Sequence, residues 1–296
     1  MRTVSKKTLL LFFLPGAIFM FVFLLLPILK MLYDSFFTVD LVGIRTFIGL
    51  NNYTKAFTSN KFIQPLCNTL IYIAVAVSVE FVLGLLMALL FNYQYPGSKL
   101  IRSLVLSPLM IAPIVAGLTW KFMLSSQFGI INQILTQFHI IRNPNDILWL
   151  ADAHYSLLSC CIADIWLTTP FMMLLILAGL NGLDNSMLEA AHIDGANRLQ
   201  QIFQIMIPNI KPVIFTALSI RIVDAARTFD IVWVMTQGGP SFSSELLSVT
   251  IYKTLARYNN VGYASAMAIV FVIMLISFTL IFMQNLWNPQ KRKQNS

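Results

Sequence analysis

Six stretches of about 20 predominantly apolar residues limit what this chain can fold into. They run approximately over Leu9–Tyr33, Asn68–Phe91, Arg102–Leu124, Tyr155–Leu180, Pro212–Thr236 and Gly262–Trp287. A run of that length is what an α-helix needs to cross the hydrocarbon core of a bilayer. In lipid no water satisfies the backbone N–H and C=O groups, so spanning segments are helices or closed barrels. Barrel strands are segments of about 10 residues that alternate in polarity. The present runs are longer and continuously apolar, so helices are expected. The reading is an all-α integral membrane protein: six transmembrane helices in one transmembrane domain over residues 1–296.

Composition agrees. Apolar residues make up 57% of the 296, and charged residues 11%, against about 25% charged in a soluble domain. A soluble globule this size could not cover its surface. Intrinsic disorder is excluded by 23 Phe and the long aliphatic runs. The first stretch starts with Arg2, Lys6 and Lys7, as a secretory signal does. It is too long for the apolar part of a signal and lacks a small-x-small cleavage site, so it is read as a retained helix. Cys67, Cys160 and Cys161 form no CxxC pair. They read as thiols in or near the membrane, without a disulfide framework or zinc site.

The net charge is +8. Most basic residues lie between and beside the apolar stretches, so membrane topology explains them and a nucleic-acid partner is not called for. Lys and Arg accumulate on the cytoplasmic side of membrane proteins. With an internal N-terminus the cytoplasmic set is Arg2, Lys6, Lys7, Lys99, Arg102, Arg198, Lys211, Lys291, Arg292 and Lys293. It outnumbers the external set, Lys30, Arg45, Lys55, Lys61, Arg142, Lys253 and Arg257. Both termini are therefore expected in the cytoplasm, which places the loops at 92–101 and 181–211 inside.

The 181–211 loop is long for an internal connection and reads as two short helices. Ser186-Met187-Leu188-Glu189 fits a capping box, with Ser186 capping and Glu189 reaching back. Asp194-Gly195 ends that helix, since Gly tolerates the left-handed conformation of a stop. Asn197-Arg198-Leu199-Gln200 opens a second helix by the same logic, and Pro208 and Pro212 break it before the fifth stretch.

The run Glu189-Ala190-Ala191, Asp194-Gly195-Ala196, Ile205, Pro208 and Pro212 resembles the EAA motif of ABC importer permeases. Other segments extend the resemblance to nearly the whole chain. Phe47-Ile48-Gly49-Leu50-Asn51-Asn52-Tyr53 resembles the first external loop of sugar-type permeases, and Asn68-Thr69-Leu70 the start of the following helix. Phe229-Asp230 leading to Met235-Thr236-Gln237-Gly238-Gly239-Pro240 resembles the exit of their fifth helix. The sequence departs from the pattern at Leu183-Asp184, where a Pro is common, and at Leu199 and Ile202, where aromatics are common.

The resemblance implies a type I importer permease of the bacterial inner membrane, importing a sugar, oligosaccharide or polyol by alternating access. It implies a second permease subunit, two ATPase subunits and an extracytoplasmic solute-binding protein. Glu189, Ala190, Ala191, Asp194, Gly195, Ala196 and Pro208 would form the element that docks into the ATPase. Two roles for Glu189 stand side by side, contact with a basic ATPase residue and simple capping.

Ionisable residues at membrane depth are costly and point to function. Glu80 falls in the second stretch and Asp164 in the fourth. The fifth carries Arg221, Asp224, Arg227 and Asp230, each three residues after the last and so within reach of pairing along one face. They would line a solute path, together with Asp164 and Trp166, or else neutralise one another at a helix contact. Trp120, Trp166 and Trp233 would stack on sugar rings or anchor at the membrane interface. Pro108, Pro113 and Pro170 would kink their helices.

Gly97-Ser98-Lys99 lacks the preceding Gly and the strand of a phosphate-binding loop, and His139, His154 and His192 have no metal-like spacing. No enzymatic activity and no cofactor are expected of this chain, and ATP hydrolysis is assigned to a separate subunit. A rival reading makes the charged fifth helix an ion relay in a secondary transporter. Another makes Asp164 and Asp224 an intramembrane catalytic pair.

Overall fold

The structure, a computed structural model, describes residues 6–39, 44–93 and 95–287. Arg2, Lys291, Arg292 and Lys293, used above for orientation, lie outside the described residues. The chain forms two units. One comprises residues 1–63 with 250–274, the other residues 64–249 with 275–296.

In the first unit, α1 (Lys6–Met20) continues through a π-helical turn, Phe21–Leu25, into α2 (Leu26–Asp34). No residue in the apolar window of Phe12–Asp34 is buried against the rest of the chain. A two-stranded hairpin follows, β1 (Phe37–Val39) and β2 (Arg45–Phe47), antiparallel with Phe37 opposite Phe47. Helix α3 (Asn51–Thr58) is tied to it by the buried Asn52. Its amide Nδ2 donates to the carbonyls of Ser35 (2.9 Å) and Phe37 (3.0 Å). The Ser35 and Tyr53 hydroxyls meet at 2.6 Å. The conspicuous Asn51-Asn52-Tyr53 run thus satisfies the backbone where α2 turns into the hairpin.

The second unit holds most of α4 (Asn60–Asn92) and all of α8 (Ser156–Asn181). Helix α8 is the central element, burying Cys160, Cys161, Leu167, Met172, Met173, Ile176 and Leu177 among others. Gly84 of α4 lets it pack closely there, because a Cβ at that position would come within 2.8 Å of Met172. Two apolar clusters result. One gathers Tyr72, Ala76, Val77, Cys160, Leu167 and Ala225. The other gathers Ala88, Met172, Met173, Ile176, Ile214 and Ala217.

The third apolar stretch is not one straight helix. Helix α5 (Ser98–Leu106) with the 3-10 turn Ser107–Met110 meets α6 (Pro113–Met123) at 100°. Pro108 and Pro113 bracket the break, and Ala112 takes the extended backbone favoured before a proline. After α7 (Ile130–Gln137), α8 and α9 (Asn185–Ile193), the chain runs through α10 (Arg198–Gln200), the π-helical turn Gln201–Met206 and α11 (Ile207–Asn209). At Ile210, between Pro208 and Pro212, it bends by 67° into α12 (Lys211–Ala226) and α13 (Asp230–Met235). Helix α14 (Leu247–Tyr252), the π-helical turn Lys253–Arg257 and α15 (Val261–Trp287) complete the chain.

Among the described residues four helices are long and apolar enough to cross a membrane: Phe12–Asp34, Asn60–Asn92, Ser156–Asn181 and Val261–Leu280. Counting each bent pair as one span gives six.

Candidate functional site

Two features of the second unit carry the chemistry noted in the sequence. The first is the 181–211 loop. Helix α9 is capped by Asp184, whose carboxylate accepts from the Ser186 backbone N–H at 2.9 Å. This corrects the expectation that Ser186 caps and Glu189 closes a capping box. Asp184 precedes the helix with extended backbone, the geometry a cap needs, whereas Ser186 already lies inside it. The bond from the Ser186 N–H, with one from its hydroxyl, holds the exposed Asp184 carboxyl below the ordinary carboxylate range. Glu189 is thereby left exposed on α9.

The stop is a Schellman motif. Gly195 is left-handed at φ +82°, its N–H donates to His192 O (3.1 Å), and the Ala196 N–H donates to Ala191 O (2.9 Å). The expected capping box on the second helix is present. Asn197 Oδ1 accepts from Gln200 N at 2.9 Å, and Gln200 Oε1 accepts from Asn197 N at 2.8 Å. Both helices are thus fixed by local bonds, and Ala191 is buried. Between them opens a cleft of about 490 Å³, lined by Tyr93, Leu188, Glu189, His192, Asn197 and Gln201. The Arg198 guanidinium lies over the Tyr93 ring at 5.2 Å. Outward, the loop presents Ile193 at 85% exposure, Leu199 at 66% and Phe203 at 65%.

The second feature is a buried charged layer. Arg221 of α12 donates to Glu80 of α4 through both Nε–Oε2 (2.7 Å) and Nη2–Oε1 (2.9 Å), and to Asp164 of α8 through Nη2–Oδ2 (3.2 Å). Thr168 Oγ1 adds a bond to Glu80 Oε1 at 2.8 Å. Glu80, Asp164 and Arg221 are 0%, 3% and 4% exposed. Along α4 and α12 the layer falls where one apolar cluster gives way to the other. Glu80 stands between Val77 and Ala88, and Arg221 between Ala217 and Ala225.

The remaining charges of the fifth stretch behave differently. Asp224 and Arg227 pair with each other at 2.5 Å, with the Arg227 side chain 72% exposed. Helix α12 ends at Ala226, and Asp230 opens α13, exposed in its first turn. The four charges therefore do not form one ladder along a face. Arg221 turns inward to other helices, and a break at 227–229 separates Asp230 from the rest. Trp166 and Trp120 sit edge-to-face at 6.1 Å, and Trp233 stacks on Phe229 at 5.5 Å. Lys121 Nζ donates to Val234 O at 2.8 Å.

Glu80 stands out in the sequence, but its partner Arg221 and its neighbour Thr168 lie 141 and 88 residues away and carry no sequence signal that links them to it. Asn68-Thr69 and Thr236–Pro240 are separate segments in the sequence, and the structure joins them. Asn68 Nδ2 donates to the carbonyls of Phe242 and Glu245, and Thr69 Oγ1 accepts from the Leu247 N–H at 2.9 Å. Thr236 Oγ1 accepts from Gly238 N (3.1 Å) and from the Ser244 hydroxyl (2.7 Å). These side chains satisfy the backbone of a tight loop in which Gln237, Ser241 and Phe242 all take left-handed conformations.

Residues 56–293 match the family profile of the binding-protein-dependent transport system inner membrane component. The trehalose/maltose transport system permease protein MalF of Thermococcus litoralis is 34% identical over 274 residues, covering 92% of this chain and 90% of that protein. The trehalose transport system permease protein SugA of Mycobacterium tuberculosis is 36% identical over 79% of this chain and 74% of its own length. A bacterial ABC transporter that imports the acidic polysaccharide alginate contains a chain with the same fold. The TM-score is 0.83 over 96% of both chains at 22% identity.

Proposed function

The chain belongs to the family of binding-protein-dependent transport system inner membrane components, and from that membership we propose how it takes part in import. It is a multi-pass permease of the plasma membrane, a transporter component and not itself a catalyst. Its solute is a sugar, oligosaccharide or related polyol, in keeping with relatives named for trehalose and maltose transport. A second permease subunit completes the path, two ATPase subunits supply the energy, and an extracytoplasmic binding protein delivers the solute. Both termini are cytoplasmic, so the 181–211 loop faces the ATPase.

The observation that carries this reading is the rigid knob of α9 and α10, stopped at Gly195, capped at Asp184 and Asn197, and apolar on its outer side. A loop that transmits force must move as a body. Local bonds make this one stiff, and the direct connection of α11 to α12 passes its displacement into the membrane. Glu189, free of capping duty, is available for a basic ATPase residue. Ala190, Ala191, Asp194, Ala196 and Pro208 shape the same surface. ATP-driven closure of the ATPases then rocks the helices outward, the binding protein releases solute, and hydrolysis restores the inward state. Asp224, Arg227, Asp230 and Trp166 face the path, while Asp164 and Arg221 hold α4, α8 and α12 together behind it.

The test is the pair Glu189→Lys and Gly195→Arg in the reconstituted transporter. Solute uptake and solute-stimulated ATP hydrolysis are expected to fall together while the complex still assembles. Survival of both activities would overturn the coupling role.

A further inference from the structure

The charged layer contains two carboxylates and one guanidinium. Among the described residues Arg221 is the one cation at ion-pair distance from either carboxylate. The nearest further charge on α12, Asp224, is already matched by Arg227. With both acids ionised the layer would hold an unbalanced negative charge in an environment that solvates charge poorly. The two carboxylates are also unequally served. Glu80 accepts two bonds from Arg221 and one from Thr168. Asp164 accepts one longer bond, on Oδ2. Beside it lies the fully buried Tyr72 of α4.

We infer that this layer is a buried proton-binding site, with the proton resident on Asp164 and an ionised Glu80 as the partner of Arg221. The layer is then electrically neutral. A neutral carboxyl on Asp164 still receives the Arg221 bond on its carbonyl oxygen. The groups facing the site are Tyr72 and Glu80 from α4, Cys160, Cys161 and Thr168 from α8, and Arg221 and Asp224 from α12. Of these only Arg221 is a cation. The arrangement joins three helices without a net buried charge, and it is independent of the solute and of the coupling loop.

Two measurements on the assembled transporter test this. Infrared difference spectra at neutral pH, wild type minus Asp164→Asn, are expected to show a protonated-carboxyl band that shifts in deuterated water. Tyr72→Phe should move that band without removing it. Thermal unfolding then locates the proton. Asn is a neutral stand-in for a protonated Asp, so Asp164→Asn should melt with the wild type. Glu80→Gln removes the ionised partner of a buried cation and should melt about 5 °C or more below it. Absence of the band, or an Asp164→Asn variant as unstable as Glu80→Gln, would overturn the inference.

Discussion

A guanidinium inside a helical bundle must find its own counter-charges, and Arg221 finds them far away in the chain. Its partners Glu80 and Asp164 lie 141 and 57 residues distant. The sequence offered a local alternative, the i+3 spacing from Arg221 to Asp224, and spacing alone could not rule it out. Asp184 shows the same limit at close range. A Ser two positions inside the helix and a Glu three residues after it match the capping pattern, but the carboxylate immediately before the helix is the stronger acceptor and takes the cap. Because its pKa is lowered in the folded state, the unfolded chain binds the proton more readily. The contribution of Asp184 to the start of α9 is therefore complete above the ordinary carboxylate range, and is lost as pH falls through the lowered folded value. Acidification is expected to lower the hydrogen-exchange protection factor of the Ser186 amide, taken against the intrinsic exchange rate at each pH. Asp184→Asn keeps an acceptor and should remove that acid dependence. Equal acid dependence in both proteins would show that another group controls the cap.

At the scale of elements, the apolar stretches were legible because lipid leaves the backbone no other choice, and helices occupy all six. Their shapes were not. Pro108 and Pro113 read as kinks in one helix, yet together they turn the chain by 100°. The difference lies in Ile111 and Ala112, whose extended backbone no apolar count reveals. The second helix of the 181–211 loop was legible from Asn197 and Gln200, because a reciprocal cap needs only four residues. The close approach of α4 to α8 was invisible, since Gly84 sits in a run of Val, Leu and Met that merely looks apolar. That contact yields a stability prediction. Gly84→Ala places a Cβ against the Cγ and Cβ of Met172, and overpacking of this kind costs about 1–3 kcal/mol. Thermal unfolding should show the loss, and Met172→Ala in the same chain should recover part of it. A neutral Gly84→Ala variant would mean that the two helices separate easily.

For the whole molecule, family and architecture emerge from a few short segments spread over the chain. The EAA-like loop, the Asn51-Asn52-Tyr53 run and the Thr236–Pro240 segment each serve a definite structural task. One is a stiff knob, one satisfies the turn after α2, and one builds a tight loop joined to the start of the membrane-buried part of α4. The apolar window of helix Phe12–Asp34, unburied within this chain, fits a subunit that works surrounded by lipid and a partner. In the proposed mechanism, movement of an external ATPase, received at α9 and α10, drives solute through this permease. The most direct measurement is solute uptake by proteoliposomes containing the assembled transporter and its binding protein. Either internal ATP or an imposed ion gradient is supplied as the energy source. Uptake is expected with ATP and not with the gradient alone. Uptake driven by the gradient without ATP would rule out ATPase-driven coupling.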